Sequence, residues 1–112
     1  MTFGIRKSTF RLESNRKLFR DVDLWKLEDM WDKWRHISVT VYYHDTEGKI
    51  DVEIRDLQDS VLCRHEFVNI TTWNQSGVYD FVRPKWGLYR KNTGYTEDHS
   101  VYFSDFEVRA VT

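Results

Sequence analysis

Apolar and polar residues alternate most regularly over residues 36–55. The run 36–43 alternates strictly, the run 50–55 alternates again, and the polar segment 44–48 between them ends in Gly48. Because successive side chains of a strand point to opposite faces, this pattern predicts an antiparallel hairpin with one apolar face. Gly48 is expected to supply the positive φ of the turn. The residues predicted on the apolar face are Ile37, Val39, Val41, Ile50, Val52 and Ile54.

Shorter apolar runs predict further strands on both sides of this hairpin. Residues 3–12 alternate loosely and indicate one or two strands, residues 61–70 indicate a long strand, and residues 85–90 indicate another. Residues 101–111 predict a closing strand with a bulge near positions 104–105, because the apolar positions change parity there. The strand over 61–70 is expected to carry Cys63, His65 and Phe67 on one face.

The segment 23–34 has helical rather than alternating spacing. Four apolar residues recur at intervals of three and four, which places them on one face of a helix. Asp23 is available as the N-cap residue. We therefore expect a short helix or helical turn near residues 23–34, with an irregular loop whose tryptophans cover a sheet edge as the alternative. The four apolar residues are Leu24, Leu27, Trp31 and Trp34.

Composition supports a mostly β fold. The 25 Val, Ile and Thr residues and the 18 aromatic residues far outnumber the ten Ala, Leu and Met residues. β-Branched and aromatic side chains favour strands, whereas Ala, Leu and Met favour helices. Antiparallel strands joined by turns, with one apolar face, predict a β-sandwich or jelly roll. No composition shift marks a linker, so we expect residues 1–112 to form a single β-sandwich domain, with a half-domain or fragment as the alternative.

Charge and cysteine content exclude several classes of partner and cofactor. The formal net charge of −1 provides no global attraction to nucleic acid, so no nucleic-acid partner is expected. No stretch approaches the roughly 20 apolar residues of a membrane span, and residues 1–7 lack the apolar core of a signal peptide, so no membrane partner is expected. The single cysteine, Cys63, cannot form an internal disulfide. No CxxC or HxxxH pair is present, so we expect neither metal nor cofactor.

Basic residues are concentrated in the first twenty positions, where Glu13 is an acidic exception. Such a concentration is most often a solvated face, and contact with an anionic polymer is the alternative interpretation. The residues are Arg6, Lys7, Arg11, Arg16, Lys17 and Arg20.

Four segments together resemble a known family. Over residues 31–110 the chain resembles the C-terminal half of concanavalin-like polysaccharide lyases, and the heparin lyase I and glucuronan lyase group in particular. The aromatic-rich segment 85–90 is the most specific of the four. The segments are Trp34-Arg35-His36-Ile37-Ser38-Val39-Thr40, Glu47-Gly48-Lys49-Ile50-Asp51-Val52, Lys85-Trp86-Gly87-Leu88-Tyr89-Arg90 and Val101-Tyr102-Phe103-Ser104-Asp105-Phe106-Glu107-Val108.

The resemblance implies a site for uronic-acid polymers. It implies that Tyr89 acts as general acid or base in β-elimination, and that Lys85 and Arg90 bind the uronate carboxylate. The strand period places Lys85 on the same face as Tyr89. His36 and Tyr42 project from the polar face of their strand and are expected to line the same groove. The resemblance also implies a concanavalin-like sandwich that is partial, because the family's sandwich is about twice as long.

Two other functions are compatible with the sequence. The first is a non-catalytic carbohydrate-binding module that stacks sugar rings on aromatic loop residues. The second is a protein-interaction domain that buries an open sheet edge in a partner or in a second copy, as a homodimer. The loop residues considered for stacking are Trp25, Trp31, Trp73 and Tyr95.

Overall fold

The structure, a computed structural model, describes residues 1–14, 19–73 and 100–110. The chain divides into two units, Met1–Asp80 and Phe81–Thr112. The regular secondary structure of the described residues belongs to the first unit and consists almost entirely of strands. The expectation of a mostly β protein is therefore confirmed, whereas the expectation of a single domain stays a prediction.

In the described part of the chain, six strands form two three-stranded sheets in which all neighbouring strands are antiparallel. The first sheet has the order β1-β2-β3 and the second has the order β4-β5-β6, so each is a simple meander. The loose alternation of residues 3–12 corresponds to β1 and β2. The strands are β1 Thr2–Arg6, β2 Thr9–Glu13, β3 Val22–Lys26, β4 His36–Tyr42, β5 Gly48–Arg55 and β6 Val61–Ile70.

The hairpin of β4 and β5 has the predicted register. Ile37 lies opposite Ile54, Val39 opposite Val52 and Val41 opposite Ile50, so the apolar residues of both strands share one face. The strand β6 continues this face, because Cys63, His65 and Phe67 lie opposite Ile54, Val52 and Ile50. The face assignments made from the alternation of residues 36–70 are therefore confirmed.

Gly48 is required for a different reason from the one predicted. Its φ does not lie in the left-handed region, and it is buried at the start of β5. A Cβ atom at this position would lie 2.6 Å from the carbonyl oxygen of Ile70 and would clash with the hydroxyl oxygen of Thr72. Glycine therefore allows the chain beyond β6 to approach β5 closely.

The two sheets share one apolar core. Leu12 and Leu24 from the first sheet and the apolar residues of β5 from the second are its buried members. Phe19 reaches the same cluster, and its ring centroid lies 5.0 Å from that of Phe67 on β6. The two sheets meet through their apolar sides, which stay partly exposed at the edge strands β1 and β4, so the remaining side of each sheet faces outwards.

Of the helix or helical turn predicted near residues 23–34, the structure has only a single turn. The first part of this segment is the strand β3, which pairs with β2. The register of the pair shifts between Phe10 and Arg11, and Leu24, the residue of β3 at this shift, is buried. Helical geometry is limited to the single 3₁₀ turn Leu27–Asp29. Pairing with β2 satisfies the backbone of this segment, and the left-handed φ of 56° at Asp32 interrupts any continuation of the helix.

Residues 100–110 of the second unit do not form the predicted closing strand. They are exposed and carry no strand assignment. Asp105 has a positive φ of 56°, at the position where the change of parity suggested a bulge. The rings of Phe103 and Phe106 stack with centroids 5.7 Å apart across this bend. Because a β-bulge is an irregularity within a paired strand, neither the predicted strand nor its bulge is observed in residues 100–110.

Candidate functional site

The residues that the resemblance assigns to catalysis lie outside the described part of the chain. Tyr89, Lys85 and Arg90 all belong to the segment 74–99, so their roles stay predictions. The other two predicted site residues, His36 and Tyr42, lie on β4 and can be assessed.

Both residues lie on the outward side of the second sheet, which we call the polar face of β4–β6. His36 lies opposite Arg55, and Tyr42 lies opposite Lys49. Five residues lie between them along the strand, so their Cα atoms are about 20 Å apart. The structure therefore places both on the expected face but does not bring them together. The polar face consists of His36, Ser38, Thr40, Tyr42, Lys49, Asp51, Glu53, Arg55, Arg64 and Glu66, together with the exposed Val68 opposite Lys49.

The charges of this polar face largely neutralise one another. Arg64 forms two hydrogen bonds to the carboxylate of Asp51, and these hold the pKa of Asp51 below its usual value. Lys49 lies 3.5 Å from Glu66, and Arg55 pairs with Glu53. Three cations thus face three carboxylates. The centre of the face is a network of ion pairs and provides little net field for a distant anion.

The polar face ends at a group of residues that we call the aromatic corner, which consists of Tyr42, His44, Lys49 and Thr72. The Tyr42 ring is 61% exposed and stacks on the ring of His44, with centroids 6.2 Å apart and planes 12° apart. Thr72 ties the corner to the chain beyond β6, because its hydroxyl donates to the Tyr42 carbonyl at 2.7 Å and accepts from the His44 N–H at 2.8 Å. The His44 carbonyl in turn accepts from the Thr72 N–H. Tyr42 is therefore an exposed ring on a well-anchored backbone.

Three residues of this corner, His44, Lys49 and Thr72, are not among the site residues predicted from the sequence. Thr72 and His44 carry no motif, and their contacts join positions 28 residues apart. Lys49, by contrast, could have been found, because a hairpin with this register places it directly opposite Tyr42. Tyr43, the residue that follows β4, meets Trp73 edge to face at 6.1 Å, and burial raises the pKa of Tyr43.

A second group of aromatic residues lies in the turn after β3. Asp29 organises this turn: its carboxylate accepts from the Trp25 indole N–H at 3.1 Å, and its carbonyl accepts from Arg35 Nε at 2.9 Å. The bond from Trp25 holds the pKa of Asp29 below its usual value. Trp31 and Trp34 are about half exposed. Of the loop residues considered for stacking, Trp31 is thus open, Trp25 and Trp73 are half-buried, and Tyr95 lies outside the described residues.

The first sheet carries a cleft on its outward side, which we call the cationic cleft. It has a volume of about 220 Å³. Arg11 is its least exposed cation, at 16%, and its Nε lies 2.7 Å from Asp23 Oδ1. The cleft combines three of the basic residues that the sequence singled out with a hydroxyl and a carboxylate. Its lining residues are Arg6, Lys7, Thr9, Arg11 and Asp23.

Cys63 lies on the core side of β6, opposite Ile54, and is half-buried. Burial raises the pKa of its thiol, which disfavours the reactive thiolate. Its position agrees with a small apolar packing role. Among the described residues, no helix is long and apolar enough to cross a membrane.

No protein-family model matches the chain, and the comparisons with curated proteins and with solved structures gave no match. The resemblance to polysaccharide lyases therefore depends on the sequence motifs themselves. The function must be argued from those motifs and from the geometry of the described residues.

Proposed function

We propose that the chain is a polysaccharide lyase-like module of the concanavalin-like sandwich type that binds uronic-acid-containing polysaccharide. The polymer lies along the polar face of β4–β6. Two lines of reasoning support this proposal: the motif resemblance over residues 31–110, and the character of the aromatic corner at Tyr42.

The exposed, anchored ring of Tyr42 is the observation that carries the proposal. An aromatic ring offers its face to the axial C–H groups of a sugar, and a ring that is already ordered loses little entropy on binding. Tyr42 has both properties, because it is 61% exposed while Thr72 fixes the backbone on which it stands. The stacked His44 ring restricts its motion further.

Lys49 adds the charge that a uronate requires. It lies directly opposite Tyr42 on β5, so a sugar stacked on Tyr42 has an ammonium group within reach of its carboxylate. Lys49 is about half exposed and lies 3.5 Å from Glu66, a contact that an incoming carboxylate can replace. The hydroxyl of Thr40, next along the same face, is available to the sugar hydroxyls.

Cleavage is the step that the resemblance adds through Tyr89. In β-elimination a base takes the proton beside the uronate carboxylate, the bond to the glycosidic oxygen breaks, and a carbon–carbon double bond forms in the sugar. The resemblance gives Tyr89 both roles: as phenolate it takes up this proton, and as phenol it returns the proton to the leaving oxygen. Lys85 and Arg90 would stabilise the charged carboxylate during this step.

Binding and cleavage are tested separately on the full chain. Binding is measured by calorimetry with glucuronan, alginate and heparin, and with a neutral glucan as control. We expect the uronates to bind and Tyr42→Ala to weaken their binding about tenfold, as expected for loss of an aromatic contact. Tyr102→Ala is the matched control, since Tyr102 is even more exposed at 78%. Equal affinity of the neutral glucan, or of Tyr42→Ala, would contradict the proposal.

Cleavage is followed by the absorbance of the unsaturated uronate product. Tyr89→Phe, which keeps the ring and removes the phenol proton, is expected to abolish product while preserving binding. Binding without product in the unmodified chain would favour the non-catalytic carbohydrate-binding function.

We also propose that two copies of the chain pair through β4. Ile37 on its apolar side is 36% exposed, and among the described residues β4 pairs only with β5. A second copy presents the same open edge, so a two-fold axis would satisfy both edges and cover both apolar sides at once.

A further inference from the structure

The cationic cleft on the first sheet takes no part in the function proposed above. We infer that it is a second binding site, which takes the anionic group of a hydroxyl-bearing polysaccharide. This inference rests on the proposed function, because it assigns a further subsite for the same class of polymer. The site is separate from the polar face of β4–β6, because it lies on the outward side of the other sheet.

Unbalanced charge is the first reason for this assignment. Arg6, Lys7 and Arg11 line the cleft against the single carboxylate of Asp23. Within residues 1–14, 19–73 and 100–110, neither Arg6 nor Lys7 has a carboxylate partner. This differs from the polar face of β4–β6, where each cation has a carboxylate within ion-pair distance. A concave surface with excess positive charge concentrates anions.

The position of Arg11 is the second reason. Its side chain is only 16% exposed, with Nε 2.7 Å from Asp23 Oδ1 and Nη1 3.9 Å from Glu13 Oε1. The Nε–H is not directed at the Asp23 oxygen and has no hydrogen-bond acceptor among the described residues. The two carboxylates hold the guanidinium in place across the sheet. A guanidinium that is already ordered can bind a carboxylate or sulfate with little further loss of entropy.

The chemistry of the lining favours a polysaccharide over a nucleic acid. The Asp23 carboxylate accepts hydrogen bonds from sugar hydroxyls, which a polysaccharide carries on every ring. Thr9 provides a further hydroxyl. Single-stranded nucleic acids are bound largely through aromatic stacking, and none of the described residues that line this cleft is aromatic. A volume of about 220 Å³ suits one sugar residue with its charged substituent.

The test uses heparin as the probe and the double variant R6Q/K7Q of the full chain. We expect this variant to bind heparin about tenfold more weakly, the scale of lost charge-assisted contacts, and with a smaller dependence of affinity on salt. The control variant K33Q/R109Q has the same change in net charge at two exposed positions outside the cleft, and it is expected to bind like the unmodified chain. Circular dichroism checks that both variants are folded.

The outcomes separate this inference from the proposed function. If R6Q/K7Q and the control bind heparin equally well while Tyr42→Ala weakens binding, the second site is wrong and the first stands. If the unmodified chain binds none of heparin, alginate and glucuronan, both are wrong. If single-stranded DNA of equal charge displaces heparin and loses affinity equally in R6Q/K7Q, the cleft is a general polyanion site and the assignment to polysaccharide is overturned.

Discussion

Arg64 on β6 and Asp51 on β5 form a two-pronged ion pair across the polar face of the second sheet. Arg64 Nε donates to Asp51 Oδ1 at 3.1 Å, and Nη2 donates to Oδ2 at 2.7 Å. The two residues are diagonal neighbours, because Asp51 lies opposite Glu66 and Arg64 lies opposite Glu53. This pair links β5 to β6 through side chains in addition to the backbone ladder.

The Arg64 pair predicts a dependence of stability on pH. The hydrogen bonds from Arg64 lower the pKa of Asp51 in the folded chain. Ionised Asp51 therefore stabilises the fold above its unfolded pKa of about 4, and this contribution is lost as the pH falls through the lower, folded-state pKa. We expect Asp51→Asn to lower Tm by a few degrees at about pH 7 and to have no effect at about pH 2.

Thermal unfolding followed by circular dichroism measures this difference. Glu107→Gln is the control, because Glu107 pairs with Arg109 at a highly exposed position and should leave Tm unchanged. An Asp51→Asn effect of equal size at both pH values would show that the ionised carboxylate is not its cause.

The shared core predicts unequal costs for two isoleucines that face each other. Ile54 is fully buried on β5, whereas its partner Ile37 on β4 is 36% exposed. Ile54→Ala should lower the free energy of unfolding by about 3 kcal/mol through the cavity it leaves, and Ile37→Ala by about 1 kcal/mol or less. Urea unfolding with a common m-value measures both. Equal losses would mean that β4 is as deeply packed as β5.

The close approach at Gly48 predicts that alanine is not tolerated there. Gly48→Ala places a methyl group against the Ile70 carbonyl and the Thr72 hydroxyl, and we expect a loss of roughly 1–3 kcal/mol. Gly4→Ala is the control, since its methyl group would meet only the movable carboxylate of Glu13. If urea unfolding finds both variants equally stable, the contact between β5 and the chain beyond β6 is looser than described.

Pairing through β4 predicts a mass twice that of the 13.6 kDa chain at micromolar concentration. Sedimentation equilibrium measures it. Ile37→Lys places a charge on the apolar side of β4 and should give a monomer, whereas Thr40→Lys on the polar side should leave the dimer intact. A monomeric unmodified chain, or a dimer that survives Ile37→Lys, would show that β4 is not the interface.

The parts of the fold that are local in sequence could be predicted from it. Strict alternation over residues 36–55 determined both faces of the hairpin, because a strand's side-chain period is fixed by its backbone. Only one turn of the helix predicted over residues 23–34 is observed, because the first part of this segment pairs with β2 as the strand β3. This pairing is a long-range interaction, which the spacing of apolar residues does not report. Glycine at position 48 was expected for a positive φ, but it is required because Thr72 and Ile70 approach it closely. This contact is also long-range in sequence, so the alternation of residues does not reveal it.

The candidate site also combines features that are local in sequence, which could be predicted, with long-range contacts, which could not. The face occupied by His36 and Tyr42 followed from alternation, but the distance between them shows that only Tyr42 belongs to the aromatic corner. The contribution of Thr72 to that corner depends on where the chain turns after β6. The cationic cleft was foreseen only as a basic segment, because Asp23 joins it through the pairing of β3 with β2.

The central claim is tested most directly by an NMR titration of the full chain with a uronic-acid oligosaccharide. Backbone amide shifts report which residues meet the sugar. We predict saturable changes concentrated at Tyr42, Lys49 and Thr72, with much smaller changes on the apolar side of β5. Absence of saturable changes at Tyr42 and Lys49, or equal changes on adding a neutral glucan, would contradict the assignment of the polar face of β4–β6 to uronic-acid polysaccharide.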